Sequence, residues 1–262
     1  MELNWMKTGL ICLLLLNFLA TDGQNIVVDK NLQDNSEPMK VKMGTQGFGK
    51  IVKWQFGEFA VVESKAGWTK TTSKGNLFNT KTESKTTQKF SFTLCNENRD
   101  SARINAAKNL EVKEVQGFEL FPGFSIGENN VQLDSRNFTA AISINSDTLD
   151  TWVLLFLSER GSQNEYKASA ILSNGQRKIM ILPASSNKNG TDKRKLPALG
   201  YEFSEDGKVV SALQYYGGGA LGMNKNIVWI DNTLEPRLKL ILASATTAVL
   251  QFKTEEFISV DQ

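Results

Sequence analysis

The 262-residue sequence predicts a mainly β protein whose antiparallel strands enclose one hydrophobic helix at the C-terminal end. Three observations carry that expectation. Segments of alternating apolar residues recur along most of the chain. Asn-Gly and Asp-Gly signals separate two pairs of them. The C-terminal segment then switches to a helical period that is apolar on nearly every side.

Taken in order, residues 51–62 (IVKWQFGEFAVV) read as a strand pair broken near Gly57. Residues 89–94 (KFSFTL) and 137–145 (NFTAAISIN) alternate with period two. Residues 151–158 (TWVLLFLS) are apolar enough to predict a strand buried on both faces. Residues 166–172 and 176–182 flank Ser173-Asn174-Gly175, while 199–204 and 208–216 flank Glu205-Asp206-Gly207. Asn-Gly and Asp-Gly tolerate the positive φ that a tight hairpin turn demands. Residues 187–195 (NKNGTDKRK) form a polar, basic loop between the two hairpins.

Asn232 or Thr233 can cap a helix over 234–252, with Glu235 at the positive end of its dipole and Pro236 in a first turn whose N–H groups lack partners. Leu234, Leu238, Ile241, Ala245, Ala248 and Phe252 mark one face, yet Leu240, Leu242, Val249 and Leu250 lie off it. From 240 to 250 only Ser244, Thr246 and Thr247 soften the surface. Such a helix must be enclosed, and eleven residues are too few to span a bilayer, which needs roughly 20. Enclosure by the β-structure follows.

This arrangement resembles the tubby C-terminal-like fold, a twelve-stranded closed barrel threaded by its last helix. Locally, Leu234-Glu235-Pro236-Arg237-Leu238-Lys239, followed by the apolar run Leu240-Ile241-Leu242-Ala243-Ser244-Ala245, is similar to the phospholipid scramblase branch: an acidic residue, then a basic–apolar–basic step, then small and apolar residues. The resemblance implies a closed or nearly closed antiparallel barrel around the C-terminal helix; a β-sandwich with a packed C-terminal helix is the alternative. It does not carry over the aspartate-rich calcium stretch of scramblases, because 223–231 (MNKNIVWID) holds asparagines and a lysine.

Residues 1–23 read as a secretory signal peptide: Lys7 in the n-region, the apolar run 10–20 (LICLLLLNFLA), and Thr21 and Gly23 before a cut at Gln24. Residues 24–262 then form a single β-rich domain. Export places it in the periplasm, at the outer membrane or outside the cell. Loss of Glu2, Lys7 and Asp22 moves the formal charge from +2 to about +3, too close to neutral to argue for nucleic acid. Cys12 leaves with the signal, so Cys95 remains alone and no internal disulfide is expected.

With no histidine in the chain, Ser-His-Asp and Cys-His nucleophile systems and HExxH zinc sites are excluded. Residues 217–222 (GGGALG) satisfy G-x-G-x-x-G, but extended sequence follows where a dinucleotide site needs a helix, so a glycine bend or bulge that lets the barrel wall approach the inner helix is expected and nucleotide is not. Residues 44–50 (GTQGFGK) read as a loop. Glu202, Glu205 and Asp206 are the obvious carboxylate cluster for a glycosidase-type hydrolase, the enzymatic alternative. Asn137 and Asn189 head glycosylation acceptors. Tyr215 and Tyr216 beside the glycine run, with Trp229, could line the mouth of a cavity, but aromatics on neighbouring strands more often simply pack against one another. No catalytic residue, metal ligand or cofactor is assigned.

The expected function is therefore that of an exported non-enzymatic protein that binds a membrane surface or lipid; a protein-interaction or structural role in the envelope is the alternative. The candidate lipid-binding residues are Lys70, Lys74, Lys81 and Lys85, on a Thr- and Lys-rich hairpin. The partners expected are an anionic lipid or an envelope protein.

Overall fold

The computed structural model describes residues 25–45, 48–75, 81–115, 118–121, 124–126, 130–145, 147, 150–161, 166–187, 197–219 and 224–260. Within these, the side chains of 75, 81–82, 112–135, 158–161, 166–168 and 256–260 are not described. Residues 1–23, read from sequence as a signal peptide, most of the loop 187–195 and Asn189 lie outside the described residues.

A short helix, α1 (Lys30–Asp34), comes first, its N-terminus capped by the Asp29 carboxylate on the Asn31 N–H. Strands β1 (Met39–Lys40), β2 (Lys42–Met43), β3 (Trp54–Phe56), β4 (Phe59–Ala66) and β5 (Lys70–Gly75) are short. The wall is dominated by β6 (Lys81–Cys95), β7 (Ser101–Val115) and β10 (Asn130–Ile144), each 15 residues long. Between the last two, β8 (Phe118–Phe121) and β9 (Phe124–Ile126) make a separate hairpin. Then follow β11 (Trp152–Gly161), β12 (Tyr166–Ser173), β13 (Lys178–Ser185), β14 (Leu199–Glu205), β15 (Lys208–Tyr216), β16 (Ile227–Ile230) and α2 (Pro236–Val260).

Every pairing is antiparallel, in the order β1-β16-β15-β14-β13-β12-β11-β10-β7-β6-β4-β3-β2, with β5 added on β6. The two ends of this path, β1 and β2, are separated by Val41 alone, whose N–H donates to the Asn226 carbonyl at 3.0 Å. One stretch, 39–43, thus pairs first with β16 and then with β3, and the sheet returns on itself as a nearly closed barrel.

Alternation along the strands divides lumen from exterior. Phe90, Phe92 and Leu94 point inward, as do Ala102, Ile104 and Ala106, and Phe138, Ala140, Ile142 and Ile144. The hairpins form at the expected places. Asp206 and Gly207, with φ of 50° and 83°, make a two-residue turn between β14 and β15. Gly175, with φ of 89°, lies in the turn between β12 and β13, where Ser173 pairs with Lys178.

Three expectations need correction. Residues 151–158 are buried on one face only: Trp152, Leu154 and Phe156 are inside, while Val153 is 41% exposed and Leu155 and Leu157 are half-buried. Only one face of a barrel wall looks into the lumen, so this apolar run presents an apolar exterior rather than a second core. The helix begins at Pro236, not Leu234, because the Glu235 carbonyl takes the Lys239 N–H while Asp231 receives both the N–H and the hydroxyl of Thr233. It also runs beyond 252, to Val260.

All residues from 240 to 252 are buried, which places the all-round apolar stretch in the barrel lumen. A second, smaller core lies outside the wall, where Ile26, Val28 and Leu32 cover Ala184, Ala198, Ala212, Ile227 and Trp229. Two polar side chains pin this strap: Gln214 Oε1 accepts the Ile26 N–H and Glu202 Oε1 accepts the Asp29 N–H, both at 2.9 Å.

Ala245 is wholly buried midway along the lumen helix. Ala245→Lys would leave an ammonium there without a partner, at a cost of several kcal/mol, and is expected to abolish the cooperative thermal transition of the soluble protein. A folded variant with unchanged Tm would show that the helix does not occupy the lumen.

Candidate functional site

Three regions concentrate polar chemistry: the entrance of α2 into the barrel, its exit, and a groove on the outer wall. At the entrance, Arg177 makes a bidentate pair with Glu205 (both bonds 2.8 Å) and a third bond to Glu235, also 2.8 Å. The hydrogen bonds from Arg177 hold the Glu205 carboxyl below the usual carboxylate range. Arg237 bonds Asp147 and Asp150, and Asn174 donates to Asp150, which lowers that carboxyl too. Burial would raise Asp231, but Lys208 at 2.8 Å and the two bonds from Thr233 outweigh it and leave the group lowered. These pairs join the β12–β13 and β14–β15 turns and the β10–β11 connection to the first turn of α2.

The carboxylates singled out from sequence have structural places of their own. Glu202 lies under the N-terminal strap, Glu205 is paired with Arg177, and Asp206 occupies a positive-φ turn position. The structure does not bring them together in a cleft. Asn137 sits mid-strand in β10, between Asn109 of β7 and Leu157 of β11, and is half-buried with its Oδ1 enclosed. The glycine run bends as expected, with φ of 70° and 74° at Gly217 and Gly218. Its close neighbours are Pro197 and Ala198 on the adjoining connection, however, rather than the inner helix.

At the exit, Trp54 Nε1 donates to Gln251 Oε1 (3.1 Å), and Gln251 Nε2 donates to Glu255 Oε1 (2.8 Å). Burial pushes the Glu255 carboxyl up, against the bond from Gln251 and the charge of Lys108 on β7.

The groove is where cations gather. Outward-pointing Lys65, Lys89 and Arg103 stand on β4, β6 and β7, and Lys50 and Lys53 approach from the segment before β3. Two adjoining depressions of about 490 Å³ and 400 Å³ share Lys65, Ser91 and Asn105. Their floor is small, with Ser91, Thr93, Ala107, Thr139 and Ala141. The two depressions together are thus lined by five cationic side chains and one carboxylate, Glu63. Large apolar side chains lie beside them: Trp68 is 89% exposed, Phe48 98%, Met43 64% and Val62 51%. The Ala66 N–H donates to the Gly49 carbonyl at 2.8 Å, which brings the chain next to Phe48 alongside the chain that leads to Trp68.

Sequence reasoning looked to a neighbouring part of the same wall. Lys70, Lys74 and Lys85 are exposed on the outer face of β5 and β6, as expected of that hairpin. Yet Lys74 stands directly opposite Glu83, and Lys85 directly opposite Glu111 on β7. Lys81 begins β6 opposite Val115, and its side chain is not described. Cys95 is half-buried, with its thiol raised first by burial and then by Glu63.

No protein family, characterised protein or solved structure matches this chain. Among the described residues, no helix is long and apolar enough to cross a membrane, and no group of three or more acidic or cysteine side chains is placed to hold a metal ion.

Glu255 and Glu205 give opposite pH signatures. The raised carboxyl of Glu255 contributes stability below the ordinary carboxylate range and loses it as pH rises through the raised value. The lowered Glu205 contributes above the ordinary range and loses it as pH falls through the lowered value. Glu255→Gln should therefore raise Tm at pH 7 and leave it nearly unchanged at pH 4. Thermal melts at the two pH values check this, and an equal shift at both would remove the ionisation argument.

Proposed function

We propose that the protein is exported through its N-terminal segment and associates with anionic membrane surfaces by the face around the basic groove. The carrying observation is the set Phe48, Trp68, Met43 and Val62, exposed beside Lys50, Lys53, Lys65, Lys89 and Arg103. Aromatic rings sit comfortably at the headgroup level, and each nearby lysine or arginine gains about 1 kcal/mol from an anionic leaflet. The small floor of the groove gives headgroups room to approach the wall.

Lys70 extends this cationic face. Lys74 and Lys85 contribute less to it, since Glu83 and Glu111 stand opposite them. We also infer a tubby-like barrel. Support comes from the closed strand path, which has twelve staves when 39–43 is counted as one, and from the enclosed last helix. The scramblase branch draws further support from the sequence around Glu235, Arg237 and Lys239.

Co-sedimentation of residues 24–262 with phosphatidylcholine vesicles, with and without phosphatidylserine, tests the membrane reading. Binding should require phosphatidylserine and weaken at high salt. Lys50→Glu with Lys65→Glu should cost roughly tenfold or more, and Trp68→Ala should weaken binding at both salt concentrations. Lys74→Glu with Lys85→Glu should change it little. Absence of binding to either vesicle would overturn the proposal and favour a protein partner.

A further inference from the structure

The barrel end from which α2 emerges holds a cluster of aromatic rings around the Lys253 ammonium, with a second ammonium, that of Lys108 on β7, 5.5 Å from the Phe252 ring centre. Tyr201 on β14 and Tyr215 on β15 have ring centres 5.3 Å apart, with planes 24° from parallel. Both pack against the lumen core and are half-buried. The Lys253 ammonium lies 5.8 Å from the Tyr201 ring centre, 5.6 Å from that of Tyr215 and 4.9 Å from that of Phe252. These rings are held by their neighbours. Phe252 stacks on Phe138 at 4.5 Å with planes 4° apart, and Phe156 meets Tyr201 edge-on at 5.3 Å.

We propose that Tyr201, Tyr215 and Phe252 form a binding site for a quaternary-ammonium group of the choline type, and that Lys253 occupies and closes it. Ring faces attract cations through their quadrupole, and the attraction strengthens as the cation sheds water. A primary ammonium is strongly hydrated. A trimethylammonium group spreads its charge over methyl surface and gives up less hydration to sit on the same rings. Lys253 is half-buried, just past the fully enclosed stretch that ends at 252, so its side chain can leave the rings while the helix stays in the lumen. Its departure vacates the volume of an alkylammonium chain.

The inference is independent of the membrane proposal, because its test uses a free cation and no vesicles. Tetramethylammonium chloride would be titrated into wild type, Lys253→Ala and Lys253→Gln, following aromatic fluorescence and aromatic NMR shifts, with sodium chloride as the ionic-strength control. Both variants should bind at least tenfold more tightly than wild type. Tyr201→Leu in the Lys253→Ala background should remove the gain. Choline should compete for the same site. Two variants are used so that a folding defect in one leaves the other to decide, and each is checked by its thermal transition. Absence of tetramethylammonium binding in folded Lys253 variants would overturn the site. Equal binding by wild type and variants would overturn the closing role of Lys253.

Discussion

An α-helix without a water-facing side is the constraint on which the rest of this structure depends. From 240 to 252 the helix has no exposed residue, so its whole circumference must be walled. With its side chains an α-helix is about 10 Å across, which a single sheet face cannot surround. A strand path that returns on itself can. The hydroxyls carried inside are then satisfied within the helix: those of Ser244, Thr246 and Thr247 donate to the carbonyls of Leu240 and Ala243. Enclosure also explains the entrance network. Turns from separate hairpins must meet around the start of the helix, and Arg177, Arg237 and Lys208 neutralise the carboxylates brought together there.

Much of this was legible in the sequence because local chemistry and global topology agree. Asp206-Gly207 specifies its hairpin through backbone conformation alone, and Phe90, Phe92 and Leu94 alternate so regularly that one face had to be core. The all-round apolarity of 240–250 carried the architecture. Hydrophobicity without context misled at 151–158, since the same leucines can face a second core or form an apolar outer wall. The helix start was two residues out because Asp231, not Asn232 or Thr233, organises the turn before it. The covering strap was invisible as such: Ile26, Val28 and Leu32 read as a scattered apolar trio until the outer wall of β13–β16 is in place.

The candidate site was less legible for a physical reason. A run such as the hairpin lysines announces itself along the chain, but electrostatic potential is set by what stands across the ladder. Register places Glu83 opposite Lys74 and Glu111 opposite Lys85, so a basic segment becomes a mixed-charge surface. The stronger cationic field comes from residues that are far apart in sequence, Lys50, Lys65, Lys89 and Arg103, gathered by strands that neighbour one another in space. The available signal was the polar half of each alternating strand. Lys89 precedes Phe90 and Arg103 precedes Ile104, and both must point outward if the apolar partner points in.

Curvature limits how much of this wall one flat partner can touch. In a ring of twelve staves each step turns the outward normal by about 30°. The groove centres on β6. A second apolar area, with Val153, Met180 and Leu182 exposed at 41%, 39% and 48%, centres on β12, four steps along the path. The two therefore face directions about 120° apart. A bilayer seated on Phe48 and Trp68 leaves the β11–β13 wall outside the contact plane, and a surface that used this wall would lift the five cations away from the headgroups. The exposed aromatics choose between them, because they accompany the cationic groove, whereas the β11–β13 patch is aliphatic. The proposed membrane association by the groove face would account for the clustering of charge with aromatic exposure, and would do so without enlisting every apolar residue on the exterior.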